Sequence, residues 1–140
     1  MINGKSVIIG LADDDKVFQF ITGKILKSLN VIDKLLQFQN GQELFYYLQE
    51  NSNQPENLPD VIFLDIQMPF MDGWQFLKEY SKPEIKLSKE IDIYILSSSI
   101  SLYDQQQSKS YYHIKDYLVK PVAKEVYIKI LEETYNNINA

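Results

Sequence analysis

The chain has 140 residues, 45% of them hydrophobic, a length and composition that predict a folded domain with its own core rather than a disordered segment. Its 14 basic and 19 acidic residues give a net charge of −5, so no basic cluster is available to bind nucleic acid. The chain has no cysteine, which excludes disulfides, thiolate metal sites and a cysteine nucleophile, and its single histidine, His113, would have to support any histidine site alone.

Neither export nor membrane insertion is predicted. The first ten residues, MINGKSVIIG, lack the long apolar stretch of a signal peptide. No apolar run approaches the roughly 18 residues that a membrane-spanning helix needs. We therefore expect a cytoplasmic protein without a membrane span.

Segments with strand character and segments with helical periodicity follow one another from the start of the chain. KSVIIGLA (5–12) predicts a first strand, and residues 13–30 predict a helix with Asp15 as its N-cap. The apolar residues at helical spacing in this helix are Phe18, Ile21, Ile25 and Leu29, with Val17 and Leu26 alongside. VIDKLLQFQ (31–39) predicts a second strand, and NGQELFYYLQEN (40–51) predicts a turn and a short helix.

The middle of the chain continues this pattern after a polar loop that contains two prolines. DVIFLD (60–65) predicts a third strand that is apolar on both faces, as a central parallel strand is. DGWQFLKEY (72–80) predicts the start of a helix with Asp72 as its cap, and IDIYILS (91–97) predicts a fourth strand.

The last third of the chain completes the series. SLYDQQQSKSYYHI (101–114) predicts a helix with a weak apolar face, and KDYLVK (115–120) predicts a fifth strand. PVAKEVYIKILEETYNNI (121–138) predicts the last helix, with Pro121 near its N-terminus, where proline is tolerated. A strand followed by a helix, repeated five times, predicts an α/β domain with a parallel sheet and right-handed crossovers. We expect this single domain to fill residues 1–140, with no output domain.

Polar side chains follow four of the predicted strands at the point where each strand ends. The first strand ends at Asp13 and Asp14, the third at Asp65, the fourth at Ser97 and the fifth at Lys120. Parallel α/β sheets form their sites at the carboxyl ends of strands, near a topological switch point. We therefore expect three carboxylates, a hydroxyl and an ammonium group to meet at one edge of the sheet.

This set of groups suits a magnesium-dependent phosphoryl transfer. Three neighbouring carboxylates raise one another's pKa, and a divalent cation would relieve their repulsion. Carboxylate and carbonyl oxygens are the ligands that Mg²⁺ prefers. Lys120 would offset a further charge, and a carboxylate can act as the nucleophile and form an aspartyl phosphate.

Four stretches of the sequence are similar to the four signature blocks of the response-regulator receiver domain. These stretches are LADDDKVFQF, VIFLDIQMPFMDGWQFL, YILSSS and DYLVKP. The resemblance covers essentially the whole chain and keeps the order and spacing of the blocks. It implies a three-layer, flavodoxin-like (βα)5 fold, with a doubly wound parallel sheet of strand order 2-1-3-4-5, and a single-domain regulator of the chemotaxis type.

The resemblance also implies roles for individual residues. Asp65 would be the phosphoacceptor, and Asp13 and Asp14 would hold Mg²⁺, Asp14 directly and Asp13 largely through water. The backbone carbonyl of Gln67 would complete the protein ligands. Lys120 would pair with an oxygen of the phosphoryl group.

A switch between two states is implied as well. Ser97 stands where the family more often has threonine, and its hydroxyl would bond the phosphoryl group. Tyr117 would be the aromatic residue that turns inward when Ser97 moves. The peptide bond between Lys120 and Pro121 would be cis.

The function implied is that of a signalling switch in a two-component system or phosphorelay. The protein would take a phosphoryl group from a phosphohistidine on a sensor histidine kinase or a histidine phosphotransfer protein, and would catalyse only its own phosphorylation and dephosphorylation. The weak apolar face of the helix at 101–114 predicts low local stability. We expect a downstream protein to bind the face formed by the fourth helix, fifth strand and fifth helix.

Two other functions use similar residues. A phosphatase of the haloacid-dehalogenase type also has a strand-end aspartate nucleophile, but it needs a second aspartate two residues later, where this chain has Gln67. A pseudo-receiver would be an unphosphorylated interaction module, and such domains usually lose an acidic residue or the lysine. At the level of single residues, Asp13 and Asp14 could belong to a helix-start cluster, Asp65 could form a turn, and His113 is expected to face solvent.

Overall fold

The computed structural model describes residues 6–99 and 101–140, so Lys5, at the start of the first predicted strand, lies outside the described residues. Strands and helices alternate five times, as the sequence predicts. In chain order they are β1 (Val7–Ala12), α1 (Lys16–Lys27), β2 (Ile32–Phe38), α2 (Gly41–Glu50), β3 (Val61–Asp65), α3 (Gly73–Tyr80), β4 (Asp92–Ser97), α4 (Leu102–Ser108), β5 (Ile114–Val119) and α5 (Lys124–Ile138).

The five strands form one parallel sheet in the order β2-β1-β3-β4-β5, which confirms the predicted fold. The register brings the carboxyl ends of the strands level with one another. Ala12 on β1 is paired with Leu64 on β3, and Asp65 is paired with Leu96 on β4. The residues that follow these strand ends therefore meet at one edge of the sheet.

Each face of the sheet carries its own hydrophobic core, and helices cover both. Leu26 of α1 and Leu131 of α5 are fully buried against one face, whereas α2 and α3 pack on the other face. On β3, Phe63 contributes to the first core and its neighbours Ile62 and Leu64 to the second. This double burial explains why β3 is apolar at every position before its final aspartate.

Two predicted helix caps are confirmed. The side chain of Asp15 accepts the backbone N–H groups of Val17 and Phe18 at the start of α1. Asp72 accepts the N–H of Gln75, whose side chain in turn accepts the N–H of Asp72, so α3 begins with a full capping box. These caps satisfy backbone groups that the helices cannot bond internally.

The predicted apolar face of α1 is partly wrong. Ile21 is 54% exposed and Val17 is 68% exposed, whereas Thr22 and Gly23 are buried. A Cβ atom at Gly23 would lie 3.6 Å from the side chain of Leu35 on β2, so the helix lies close to the sheet at this point. Thr22 and Gly23 are small enough to allow that approach. They therefore occupy the buried face of α1 that helical periodicity assigned to larger residues such as Ile21.

The helix predicted over 101–114 is shorter than expected. It ends at Ser108, and β5 begins at Ile114. The chain joins the sheet just before that residue, because the carbonyl of His113 accepts the backbone N–H of Ile93 on β4 at 3.0 Å. Pairing with β4 therefore overrides the helical periodicity of the last residues.

The prediction that His113 faces solvent is wrong. Its side chain is half-buried, and its ring centre lies 4.9 Å from that of Tyr80 and 3.9 Å from that of Tyr112. Burial lowers the pKa of this histidine, and the charge of Glu90 opposes that shift only in part. His113 packs at the amino-terminal end of β5, away from the strand-end carboxylates.

No helix within residues 6–99 and 101–140 combines the length and the apolar character that crossing a bilayer requires.

Candidate functional site

The acidic residues predicted from the strand ends come together in the structure. Carboxylate oxygens of Asp13, Asp14 and Asp65 lie within 4.8 Å of one another. Asp13 and Asp65 are buried, and Asp14 is exposed. The cluster therefore has one side that solvent and small ions can reach.

Asp13 is held at both carboxylate oxygens. Its Oδ1 accepts the backbone N–H of Asp15 at 2.9 Å, and its Oδ2 accepts a hydrogen bond from Nζ of Lys120 at 2.8 Å. The same Nζ lies 3.6 Å from Oδ1 of Asp65. Lys120 thus bridges two buried carboxylates. Its Nζ is closer to Asp13 than to Asp65, the residue that would carry the phosphoryl group according to the family resemblance.

Phe18 contributes to the site, although nothing in the sequence singled it out. Nζ of Lys120 lies 4.6 Å from the centre of the Phe18 ring, a distance at which a cation is attracted to an aromatic face. In the sequence, Phe18 is one apolar residue of a helix, and only the approach of α1 to the end of β5 gives it this role.

Asp65 is an unusually weak acid for an aspartate. Burial, together with the negative charges of Asp13 and Asp14, raises its pKa to about 6. Lys120 and the backbone N–H of Gln67, which donates to Oδ1 of Asp65 at 3.2 Å, lower the pKa only in part. The cluster therefore carries more negative charge than its one lysine compensates.

The residues present fit a hard divalent cation. Three carboxylates supply oxygen ligands, and the exposed position of Asp14 leaves room for water ligands. Mg²⁺ is usually bound in this way, through one or two carboxylates with water and phosphate oxygens. Repulsion from Asp13 and Asp14 adds to the effect of burial on the pKa of Asp65, and such a cation would relieve that repulsion.

Ser97 and Tyr117 meet at one backbone carbonyl. The Ser97 hydroxyl is buried, donates to the carbonyl of Ser99 at 3.0 Å and accepts the N–H of Ser99 at 3.2 Å. The hydroxyl of the half-buried Tyr117 donates to the same carbonyl, also at 3.0 Å. The two residues predicted to act together as a switch are therefore joined through Ser99.

The peptide bond between Lys120 and Pro121 is cis, as the resemblance implies. The backbone N–H of Lys120 donates to the carbonyl of Ser97 at 2.7 Å, which fixes the end of β5 beside the end of β4.

The sequence profile of the response regulator receiver domain matches residues 9–132. The chain belongs to this family. Receiver domains are components of two-component signalling, so the signalling class predicted from the sequence is confirmed at this level. The match includes every strand-end residue described above.

Known proteins similar to this receiver domain include both kinases and regulators. The sensor histidine kinase CheAY of Helicobacter pylori is 29% identical over 133 residues, which are 94% of this chain and only 15% of the kinase. A two-component response regulator from Cytophaga hutchinsonii has the same fold, with a TM-score of 0.81 and 21% identity over 95% of this chain and 99% of that one. The phosphorylated cyanobacterial phytochrome response regulator RcpA superimposes with a TM-score of 0.72 and is 26% identical, covering 96% of this chain and 97% of that one.

Proposed function

We propose that this receiver domain is a phosphoacceptor switch in which Asp65 takes a phosphoryl group from a phosphohistidine. The cluster of Asp65, Asp13, Asp14 and Lys120 is the observation on which the proposal depends. These residues place a buried carboxylate beside groups that can bind a cation and a phosphoryl oxygen. The relative RcpA is a phosphorylated regulator, which supports the same chemistry here.

In the proposed step, a carboxylate oxygen of Asp65 forms a bond to phosphorus while the bond from phosphorus to the imidazole nitrogen of the donor breaks. The electron pair of the broken bond returns to the imidazole, so no oxidant or further reactant is needed. Asp65 must be ionised to attack, and its pKa of about 6 leaves most of it ionised at neutral pH. Catalysis consists mainly of positioning and charge neutralisation.

Asp13, Asp14, Asp65 and the backbone carbonyl of Gln67 would hold Mg²⁺. When bound, the cation would neutralise the carboxylates and the charge that develops on the phosphoryl oxygens. Asp13 is already fixed by the N–H of Asp15, so its orientation does not depend on the cation. Asp14 is exposed, so its carboxylate would be the ligand most accessible to the cation.

Lys120 would change partners on phosphorylation. Its Nζ is 2.8 Å from Asp13 and 3.6 Å from Asp65, so a short movement would bring it to an oxygen of a phosphoryl group on Asp65. Charge-assisted hydrogen bonds of this kind are stronger than neutral ones. We expect this new bond to stabilise the phosphorylated state.

Ser97 and Tyr117 would transmit the change. If the Ser97 hydroxyl donates to the phosphoryl group, it gives up the Ser99 carbonyl that it now shares with Tyr117. The environment of the Tyr117 hydroxyl then changes too, and this residue lies on β5, which contacts α4. A downstream protein would bind the face of α4, β5 and α5 according to the state of these residues.

The phosphodonor would be a sensor histidine kinase or a histidine phosphotransfer protein. The similarity to the kinase CheAY supports this class of partner. A cytoplasmic location and a single domain without an output module stay predictions. Gln67, where a haloacid-dehalogenase-type phosphatase needs its second aspartate, argues against turnover of a separate substrate.

Mass spectrometry of the protein after treatment with acetyl phosphate and Mg²⁺ tests the proposal. We expect a gain of one phosphoryl group that is lost in Asp65→Asn and kept in Asp33→Asn. Asp33 is a matched control because it is an exposed aspartate on β2. No gain in the wild-type protein, or a gain retained in Asp65→Asn, would contradict the proposal. Steady release of phosphate from a small phosphoester, without the protein being consumed, would favour the phosphatase.

A further inference from the structure

Gln19 on α1 joins the ends of two strands at the start of the acidic pair. Its side-chain Nε2 lies 2.8 Å from the carbonyl of Phe38, 3.0 Å from that of Asp13 and 3.2 Å from that of Leu11. The carbonyl of Phe38 also accepts the backbone N–H of Asp13 at 3.0 Å. One amide therefore binds the last residues of β1 and β2 to each other.

A second amide fixes the orientation of the first. Nε2 of Gln37 on β2 donates to Oε1 of Gln19 at 2.9 Å and to its backbone carbonyl at 3.2 Å. Because a side-chain amide has a donor end and an acceptor end, this bond directs the NH2 group of Gln19 to the three carbonyls. A Cβ atom at Gly23 would lie 3.1 Å from Nε2 of Gln37, so the glycine leaves the space in which Gln37 lies against α1.

The backbone of Asp13 is thereby fixed on both sides. Its N–H donates to Phe38, and its carbonyl accepts from Gln19. Asp13 is the first residue beyond β1, where the ladder to β3 has ended, so neighbouring strands do not supply these bonds from both sides. The backbone from which Asp13 and Asp14 project their carboxylates is therefore held in part by Gln19.

We propose that Gln19 is a positioning residue that sets the affinity of the Asp13 and Asp14 carboxylates for a divalent cation. The inference depends on the proposed function, because it assumes that these carboxylates bind the cation. Groups that orient metal ligands without touching the metal typically change affinity by about 10- to 100-fold when they are removed. Gln19 acts one step further from the cation, through the backbone, so we expect the lower end of that range.

Titration with Mn²⁺, followed by electron paramagnetic resonance of the free ion, tests the proposal. Gln19→Met keeps the length of the side chain and removes its donors, and we expect it to raise the dissociation constant for Mn²⁺ by about tenfold. Tyr47→Phe is the matched control, because it removes a side-chain to backbone hydrogen bond of 2.7 Å, to the carbonyl of Asn57, which precedes the amino end of β3, and it keeps the ring that packs on Phe38. We expect this control to keep the wild-type dissociation constant at a temperature where all variants are folded.

Two outcomes separate this inference from the proposed function. A folded Gln19→Met protein whose dissociation constant is within twofold of the wild type would overturn the role of Gln19. If the wild-type protein does not bind Mn²⁺, or if Asp14→Asn has the same dissociation constant for Mn²⁺ as the wild type, the metal site itself is overturned. If Gln19→Met does not fold, Gln37→Met provides the test. This variant keeps the NH2 donors of Gln19 but removes the hydrogen bond from Gln37 that orients the Gln19 amide. An unchanged dissociation constant in Gln37→Met would then contradict the proposal.

Discussion

Asp65 is 4% exposed, and its burial among other acids has a measurable cost in stability. Its pKa is raised from 3.8 to about 6 in the folded protein. Between these two values the folded state binds the proton more tightly than the unfolded state does. The free energy of unfolding therefore falls as the pH rises through this window, and the loss is complete above about pH 6.

We expect Asp65→Asn to stabilise the metal-free protein at pH 7.5, because the variant has no charge to bury. One pKa unit corresponds to about 1.4 kcal/mol, which gives a gain on the order of 3 kcal/mol for this shift. The gain should shrink towards pH 4, where Asp65 is protonated in the folded state. Urea unfolding in the presence of a chelator measures it, with the exposed Asp33→Asn as control. An equal gain at both pH values would show that the charge is not its source.

Tyr127 illustrates a second kind of buried polar group. Its side chain is 1% exposed, and it packs edge-on against Phe63 at 5.1 Å. Its hydroxyl makes no well-aligned hydrogen bond among the described residues, and the neighbouring Thr22 side chain offsets the effect of burial on its pKa only in part. A buried hydroxyl without a partner destabilises the folded state by about 1–3 kcal/mol. The aromatic ring therefore stabilises the core while its hydroxyl works against it.

We expect Tyr127→Phe to raise the free energy of unfolding by about 1 kcal/mol, because it keeps the ring and removes a buried hydroxyl for which Thr22 compensates only in part. Tyr47→Phe should lower it by about the same amount, since the Tyr47 hydroxyl donates to the carbonyl of Asn57. Urea unfolding of the two variants compares the same chemical change in opposite settings. A loss of stability in Tyr127→Phe would mean that its hydroxyl is bonded in solution.

Among the helices of the described residues, α4 alone has no buried residue. Its Leu102 and Tyr103 are 75% and 65% exposed. A hydrogen bond of 3.1 Å from Nε1 of Trp74 to Asp104 joins it to α3. Elements with few buried contacts open at low free energy and are the ones that move in switches.

We expect the backbone amides of α4 to exchange with solvent faster than those of α5, because Leu131 and other residues of α5 are buried. Addition of beryllofluoride with Mg²⁺, which mimics the phosphoryl group, should change protection over residues 98–120. Hydrogen exchange followed by mass spectrometry measures both effects. Unchanged protection over this segment would contradict the proposed signalling face.

Local sequence signals are enough to predict the strands, the helices and their caps. Features that depend on contacts between elements could not be predicted from them. The caps Asp15 and Asp72 were predictable because a cap depends on a few neighbouring residues. The exposure of Ile21 was not, since the sheet accepts α1 through Thr22 and Gly23. Helical periodicity gives the apolar residues of a helix but not how closely the helix approaches its neighbours.

The parallel sheet assembles the site from distant parts of the chain. Asp13 and Lys120 are 107 residues apart in sequence and 2.8 Å apart in space. Strand-end positions predicted that these residues meet, because parallel strands present their carboxyl ends at one edge. That Lys120 bonds Asp13 more closely than Asp65, and that Gln19 reaches three carbonyls, depends on side-chain geometry that no sequence spacing contains.

We propose that Asp65 becomes an acyl phosphate, and chemical reduction can locate this group. Borohydride converts an aspartyl phosphate to homoserine, which tandem mass spectrometry assigns to one position in a peptide. After acetyl phosphate, Mg²⁺ and borohydride, we predict homoserine at position 65, dependent on Mg²⁺ and absent at Asp13 and Asp14. A phosphorylated protein with no homoserine at position 65, or with homoserine at another aspartate instead, would contradict the account.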